Sequence, residues 1–161
     1  MHPELDPFFL RVACNVARTQ SDDPHTQNGA VLVAERGENV AAANTLPPDV
    51  QRRAERLERP MKYNYIEHAE RNVIYTAARL GIPTKRATLY CPWFACTDCA
   101  RAIIIAGIHE VVGLAYPEAH GSWKESIERA DEMLREAGII CRRITDKVGV
   151  KLLRDGKEIE L

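Results

Sequence analysis

Long apolar runs are missing from this chain: no stretch approaches the roughly 20 residues that a membrane-spanning helix needs. The first residues, "MHPELDPFFLRVACNVART", lack a basic lead, an extended apolar core and a small-residue cleavage site, so no export signal is expected. An excess of one charge is missing too. Against 22 Lys and Arg stand 23 Asp and Glu, a formal charge of -1, so no global field draws the protein to polyanions or lipid. Nucleic acid and membrane are therefore not expected as partners, and a small molecule is. Aromatic residues make up only 6% of the chain, so each ring near a candidate site has to be weighed singly. The five cysteines are an odd number without an export signal. That disfavours a disulfide framework, favours metal or thiol chemistry, and fits a cytoplasmic protein. There is no internal repeat and no low-complexity tract.

What is present is enough for one core: 161 residues, 45% of them hydrophobic, are expected to form a single domain over 1–161. Phe9, Val12, Ala13, Val16 and Ala17 recur at helical spacing after Asp6 and Pro7. "GAVLVA" and "NVAAAN" flank the charged turn "ERGE" and read as a β-hairpin. Residues 45–65 have prolines, charges and no clean period, which marks a long excursion with a short helix around "DVQRRAERLER". Beyond it the pattern is regular. A helix from His68 to Leu80 stops at Gly81 with Pro83 behind it, and then strand-like "ATLYC", helical "CTDCARAIIIAG", strand-like "EVVGLAY", helical "WKESIERADEMLREAG" and strand-like "IICRRI" alternate. Asp155-Gly156 between two alternating runs signals a C-terminal hairpin within 148–161. This order predicts an α/β sandwich whose later strands are parallel. The run "ARAIIIAGI" predicts a helix buried on several sides.

The chemistry-bearing residues fall at two predicted helix starts. In "IEHAERN", His68 and Glu70 lie two apart; in "PWFACTDCARAIIIAG", Cys96 and Cys99 lie three apart and can face one ion. His68, Cys96 and Cys99 make a His/Cys/Cys set, which leaves one position of a tetrahedral zinc open for water. Glu70, unable to share a helical face with His68, reads as a proton carrier rather than a fourth ligand. The bland alternative is half of a structural zinc site, but no further Cys or His has knuckle-like spacing nearby.

With these motifs the chain resembles the zinc-dependent cytidine and deoxycytidylate deaminases, whose H-x-E and C-x-x-C signature it carries. The resemblance runs from about Pro7 to Ile144, and "SDDPHTQNGAVLV", the long excursion and Asn72 are similar to the deoxycytidylate branch. It implies a three-layer α/β/α sandwich with a mixed sheet of about five strands, one Zn2+ held by His68, Cys96 and Cys99, and Glu70 as proton shuttle. It implies deamination of a cytosine nucleotide, dCMP to dUMP first in line, with Asn44 at the nucleotide. Asn28, Ala69, Tyr65 and Phe94 are the further candidates for substrate contact. It also implies a homo-oligomer, hexamer or dimer, and dCTP or dTTP as effectors with Mg2+ accompanying the nucleotide. Two departures stand out. Ala95 replaces the proline usual before the first cysteine, and Ala42 to Thr45, "AANT", lacks both glycines of the family's Gly-x-Asn-Gly, a change that bears on the regulation.

Two competing functions stay open at this stage. One is deamination of another base, including a base in RNA; the other is a non-catalytic, zinc-stabilised nucleotide-binding scaffold. Arg52, Arg53, Arg56, Arg59 and Lys62 could hold a phosphate or simply form a solvated face with Glu55 and Glu58. Trp93, Phe94, Tyr63 and Tyr65 could stack on a base or only pack. Ser21, Thr26 and Asn28 could border the nucleotide or shape the turn before the first strand. His120 reads as an exposed loop residue, and Cys14, Cys91 and Cys141 as small buried hydrophobes.

Overall fold

The computed structural model describes residues 3–115 and 123–161; His120 lies outside them. Its centre is a five-stranded sheet in the order β2-β1-β3-β4-β5. The strands are β1 (Gly29–Val33), β2 (Asn39–Ala43), β3 (Thr88–Tyr90), β4 (Glu110–Leu114) and β5 (Ile140–Ile144). β1 runs antiparallel to β2 and β3, whereas β3, β4 and β5 are parallel. The short charged turn allows the first pairing; the parallel ones need the helical crossovers that the alternating pattern supplies.

Helices cover both faces. On one side α1 (Asp6–Gln20) packs Leu10, Ala13, Cys14 and Ala17 against Val31, Val33, Tyr90 and Val112. A second, two-stranded sheet, β6 (Lys151–Arg154) and β7 (Lys157–Glu160), adds Leu152 to the same core. Its turn is Asp155-Gly156, both at positive φ (50° and 75°), the conformation a tight hairpin requires. On the opposite face α3 (Ala69–Leu80), α4 (Thr97–Ile105) and α5 (Lys124–Glu136) bury Val73, Ala77, Ile103 and Leu134 against Ala30, Leu32, Leu89 and Val111. The alternation along β1, Ala30 and Leu32 to one core and Val31 and Val33 to the other, is that of a strand covered on both sides.

A buried polar network ties α1 to the sheet. Asp6 accepts from Tyr90 Oη (3.1 Å) and pairs with Arg142 of β5, which also donates to Glu110 of β4 (2.6 Å). The long excursion is closed at its base. Glu67 N donates to Thr45 O (2.8 Å), and Asn72 Nδ2 reaches Ala43 O (2.8 Å) and Thr45 Oγ1 (3.0 Å). The helix expected around "DVQRRAERLER" is only a 3-10 turn at Ala54–Arg56, and α2 (Lys62–Tyr65) follows it. Within the single chain α4 buries Ile103 and leaves Ile105 86% exposed.

Gly29 sets how closely α1 approaches β1: a Cβ there would lie 2.1 Å from Ala13 O, a backbone atom with no room to yield. Gly29→Ala is therefore expected to destabilise the protein by about 1–3 kcal/mol or more through overpacking. Urea denaturation reads the loss, and an unchanged midpoint would contradict this packing.

Candidate metal and active site

Both helix starts foreseen in the sequence lie at the carboxyl end of β3, where a ligand crevice is expected in a sheet with parallel strands. His68 is the N-cap of α3, with extended backbone (φ -70°, ψ 145°), and its carbonyl accepts the first helical bond from Asn72 N (2.9 Å). Cys96 is the N-cap of α4, Cys99 sits in its first turn, and Ala100 N bonds Cys96 O (2.9 Å). The first N–H of α4, at Thr97, is capped by Ser126 Oγ of α5 (3.1 Å). Orphan N–H groups and helix dipoles thus point at one place from two directions, which favours anionic ligands there.

Among the described residues, His68, Cys96 and Cys99 form the one group able to hold a metal ion. Cys96 Sγ and Cys99 Sγ are 3.6 Å apart, and His68 Nδ1 is 3.5 Å from each. Zinc bonds of about 2.3 Å to sulfur and 2.0–2.1 Å to nitrogen at tetrahedral angles require edges of about 3.8 Å and 3.5 Å. The three donors fit that ion. Without an ion the three donors share protons that a metal must displace. The hydrogen bond with Cys99 and the His68 ring hold the Cys96 thiol down at about 4 against the cost of burial. The same bond, and burial, push the Cys99 thiol far up. Burial works against the His68 imidazolium, yet its bond to Cys96 and the charge of Glu70 leave it above the ordinary range. A cation entering here exchanges with the proton that Cys99 otherwise keeps.

Glu70 is 2% exposed, stands outside the ligand trio and lines the cavity that opens from it. The facing argument drawn from helical spacing does not apply, because His68 precedes the helix and its extended backbone lets both side chains reach one cavity. Burial raises the Glu70 carboxyl above the usual range, the setting of a group that both takes and gives a proton. Asn28 Nδ2 donates to Glu70 Oε2 (3.2 Å), and Asn28 Oδ1 accepts from Gly29 N (3.0 Å), which fixes the orientation of the amide. Asn44 helps to shape this wall. Its Oδ1 accepts from Ser21 Oγ (2.7 Å) and Asn28 N (2.8 Å), and its Nδ2 donates to Thr26 O (2.8 Å).

The cavity, about 110 Å³, is bordered by Asn28, Asn44, His68, Glu70, Phe94 and Cys96. Phe94 lies over Gly113 of β4, where a Cβ would come within 2.6 Å of its ring. Ala69 and Tyr65, expected as substrate contacts, are not among the lining residues: Ala69 is buried in the first turn of α3, and Tyr65 carries the Arg56 guanidinium on its ring (4.7 Å). Of the basic excursion, Arg59 and Lys62 line the cavity. Arg52 pairs with Asp22 and Arg53 bonds Gln51, so these and Arg56 form the solvated face. Lys62 is 3% exposed and holds both oxygens of Asp23 (2.8 and 2.6 Å).

The sequence reading missed Asp23, Ile66, Trp123, Ile127 and Arg154 as lining residues. Trp123 stands edge-on to His68 (5.6 Å, 64°) and to Tyr63 (6.2 Å, 61°). No local spacing signals such a ring; only the packing of α5 brings it there.

A model of the cytidine and deoxycytidylate deaminase zinc-binding region matches residues 3–115. The chain belongs to that family. Relatives include mouse deoxycytidylate deaminase, 31% identical over 151 residues, which span 89% of this chain and 82% of that protein. The deoxycytidylate deaminase of Enterobacteria phage T4 is 42% identical over 72 residues, 45% of this chain and 34% of that one. The crystal structure of dCMP deaminase from the cyanophage S-TIM5 in complex with dCMP and dUMP superposes with a TM-score of 0.70 at 20% identity, covering 89% of this chain and 99% of that one, and shares the fold. As in other members of this zinc-binding family, the metal here is expected from the His/Cys/Cys donors, and their spacing agrees.

Metal analysis of the purified deaminase should find one zinc per chain, lost in His68→Ala, Cys96→Ala or Cys99→Ala and kept in Glu70→Gln. Zinc uptake should release protons and weaken as the pH falls, because Cys99 must give up its proton. Full zinc content in the cysteine variants would place the metal elsewhere.

Proposed function

We propose that this deaminase converts dCMP and water to dUMP and ammonia. The observation that carries the reading is a buried carboxylate, Glu70, in the same cavity as a three-donor metal site. The 31% identity to mouse deoxycytidylate deaminase over most of both chains supports the choice of nucleotide.

His68, Cys96 and Cys99 hold the zinc, which when bound makes water acidic enough to act as a nucleophile near neutral pH. Glu70 takes the proton released as water oxygen adds to C4 and delivers it to N3 of the ring. It then carries the remaining hydroxyl proton to the amine at C4. The C4–N bond breaks, ammonia leaves and the carbonyl of dUMP forms. The raised affinity of the buried Glu70 for a proton suits both transfers. Asn28 holds the carboxylate in place through Oε2. Asn44 and Phe94 shape the walls against the nucleotide.

The finer parts of the reading are a cytoplasmic homo-oligomer, hexamer or dimer, and control by dCTP or dTTP with Mg2+. Exposed Tyr75, Leu80 and Ile105 offer apolar surface for association. No helix among the described residues is long and apolar enough to cross a membrane.

Ammonia release by the zinc-loaded protein should be greatest with dCMP in a panel that includes CMP, deoxycytidine, cytosine, adenosine and guanine. Glu70→Gln should lower kcat by roughly a hundredfold or more with zinc and fold retained. Equal activity in that variant would sink the proton-carrier role, and silence across the panel would favour a polymer substrate or a scaffold. Repeating the assay with dCTP, dTTP and Mg2+ tests the effectors.

A further inference from the structure

The C-terminal hairpin lies outside residues 3–115, the stretch matched by the family model, yet it forms part of the cavity wall. It is fastened to the loop before β1 at four points. Gln27 N donates to Leu153 O (2.8 Å), Leu153 N to Gln27 Oε1 (3.0 Å), Asp155 N to Thr26 Oγ1 (3.1 Å) and Gly156 N to His25 O (2.8 Å). Trp93 Nε1 donates to Gln27 O (2.9 Å), so the loop joins hairpin to metal loop. This mounting brings Arg154 to the cavity with its guanidinium 4.6 Å from the centre of the Trp93 ring. From the excursion Arg59 reaches the same mouth, its Nη2 bonded to Asp155 Oδ1 (2.6 Å) at the hairpin turn.

Apart from His68 and Glu70, the charged residues lining the cavity are Asp23, Arg59, Lys62 and Arg154. Asp23 is matched by Lys62, which holds both of its oxygens. Arg154 and Arg59 both line the mouth, one lying on an indole face and one bonded to a hairpin carboxylate. A guanidinium is a planar fork of donors, the geometry that suits a phosphate. Arg143, stacked on Phe94 (3.7 Å), lines only the neighbouring cavity.

We propose that Arg154 of the C-terminal hairpin, together with Arg59, forms the subsite for the 5′-phosphate of the nucleotide substrate. The inference rests on the nucleotide deaminase reading and adds to it the groups that separate a nucleotide from a nucleoside. Lys62 is a positioning residue: its bond to Asp23 holds the loop that carries Thr26 and Gln27, and hence the hairpin.

The test uses the full zinc-loaded chain and two readouts. Equilibrium binding of dUMP and deoxyuridine is measured by calorimetry, and kcat/KM for dCMP and deoxycytidine by ammonia release. In Arg154→Gln the preference for the phosphorylated ligand should fall by about tenfold or more in both, as loss of a charge-assisted contact requires. Arg154→Lys should be intermediate, and Arg59→Gln should show a smaller fall. Preferences that stay within about twofold of the wild type in all three variants overturn the proposal. If the wild type does not turn over dCMP but binds dUMP better than deoxyuridine through Arg154, the subsite stands and the proposed reaction fails.

Discussion

The structure depends on one constraint, that a ring nitrogen and two sulfurs from separate chain segments be held about 3.5 Å from one another. Neither segment could do this alone. α3 and α4 start at the same end of the sheet because β1 and β3 are paired and both helices lie on one face, sharing the core of Val73, Ala77, Cys99 and Ile103. Packing of apolar side chains therefore sets the ligand spacing, and the cost of gathering two thiols is met by burial elsewhere. Helix starts then supply what burial withholds, a positive field and free N–H groups for the anions that the site must carry.

The remaining features of the cavity follow from the need to keep a carboxylate buried and aimed. Glu70 is 2% exposed and its side-chain partner is Asn28, whose own orientation is set by Gly29 and Asn44. Asn44 is in turn committed to Ser21 and Thr26. The chain of bonds runs from the end of β2 through the loop before β1 to the catalytic centre. The same loop carries the hairpin at its outer side, so the reacting end and the mouth of the cavity share one support.

Much of this was legible in the sequence where the signal is local. The strands and helices from Ala69 onward alternate with clear periods, Gly81 and Asp155-Gly156 mark their ends, and H-x-E with C-x-x-C announces the metal chemistry. Residues whose meaning depends on distant packing were not legible. Lys62 reads as one more cation in a basic loop until Asp23, 39 residues earlier, closes on it. Gly113 is an unremarkable strand glycine until the Phe94 ring is laid over it. Ile105 stands in an apolar run, yet within one chain it is 86% exposed. Arg154 belongs to a hairpin that sequence places at the far end of the chain, and only three-dimensional structure returns it to the cavity.

The central claim is an open, three-donor zinc site rather than a closed structural one. X-ray absorption at the zinc edge of the metal-loaded protein tests it most directly. The account predicts two sulfurs at about 2.3 Å and two lighter atoms at about 2.0–2.1 Å, one from His68 and one from an exchangeable solvent oxygen or substrate analogue. A shell of three or four sulfurs, or one that does not change when an analogue binds, would contradict it.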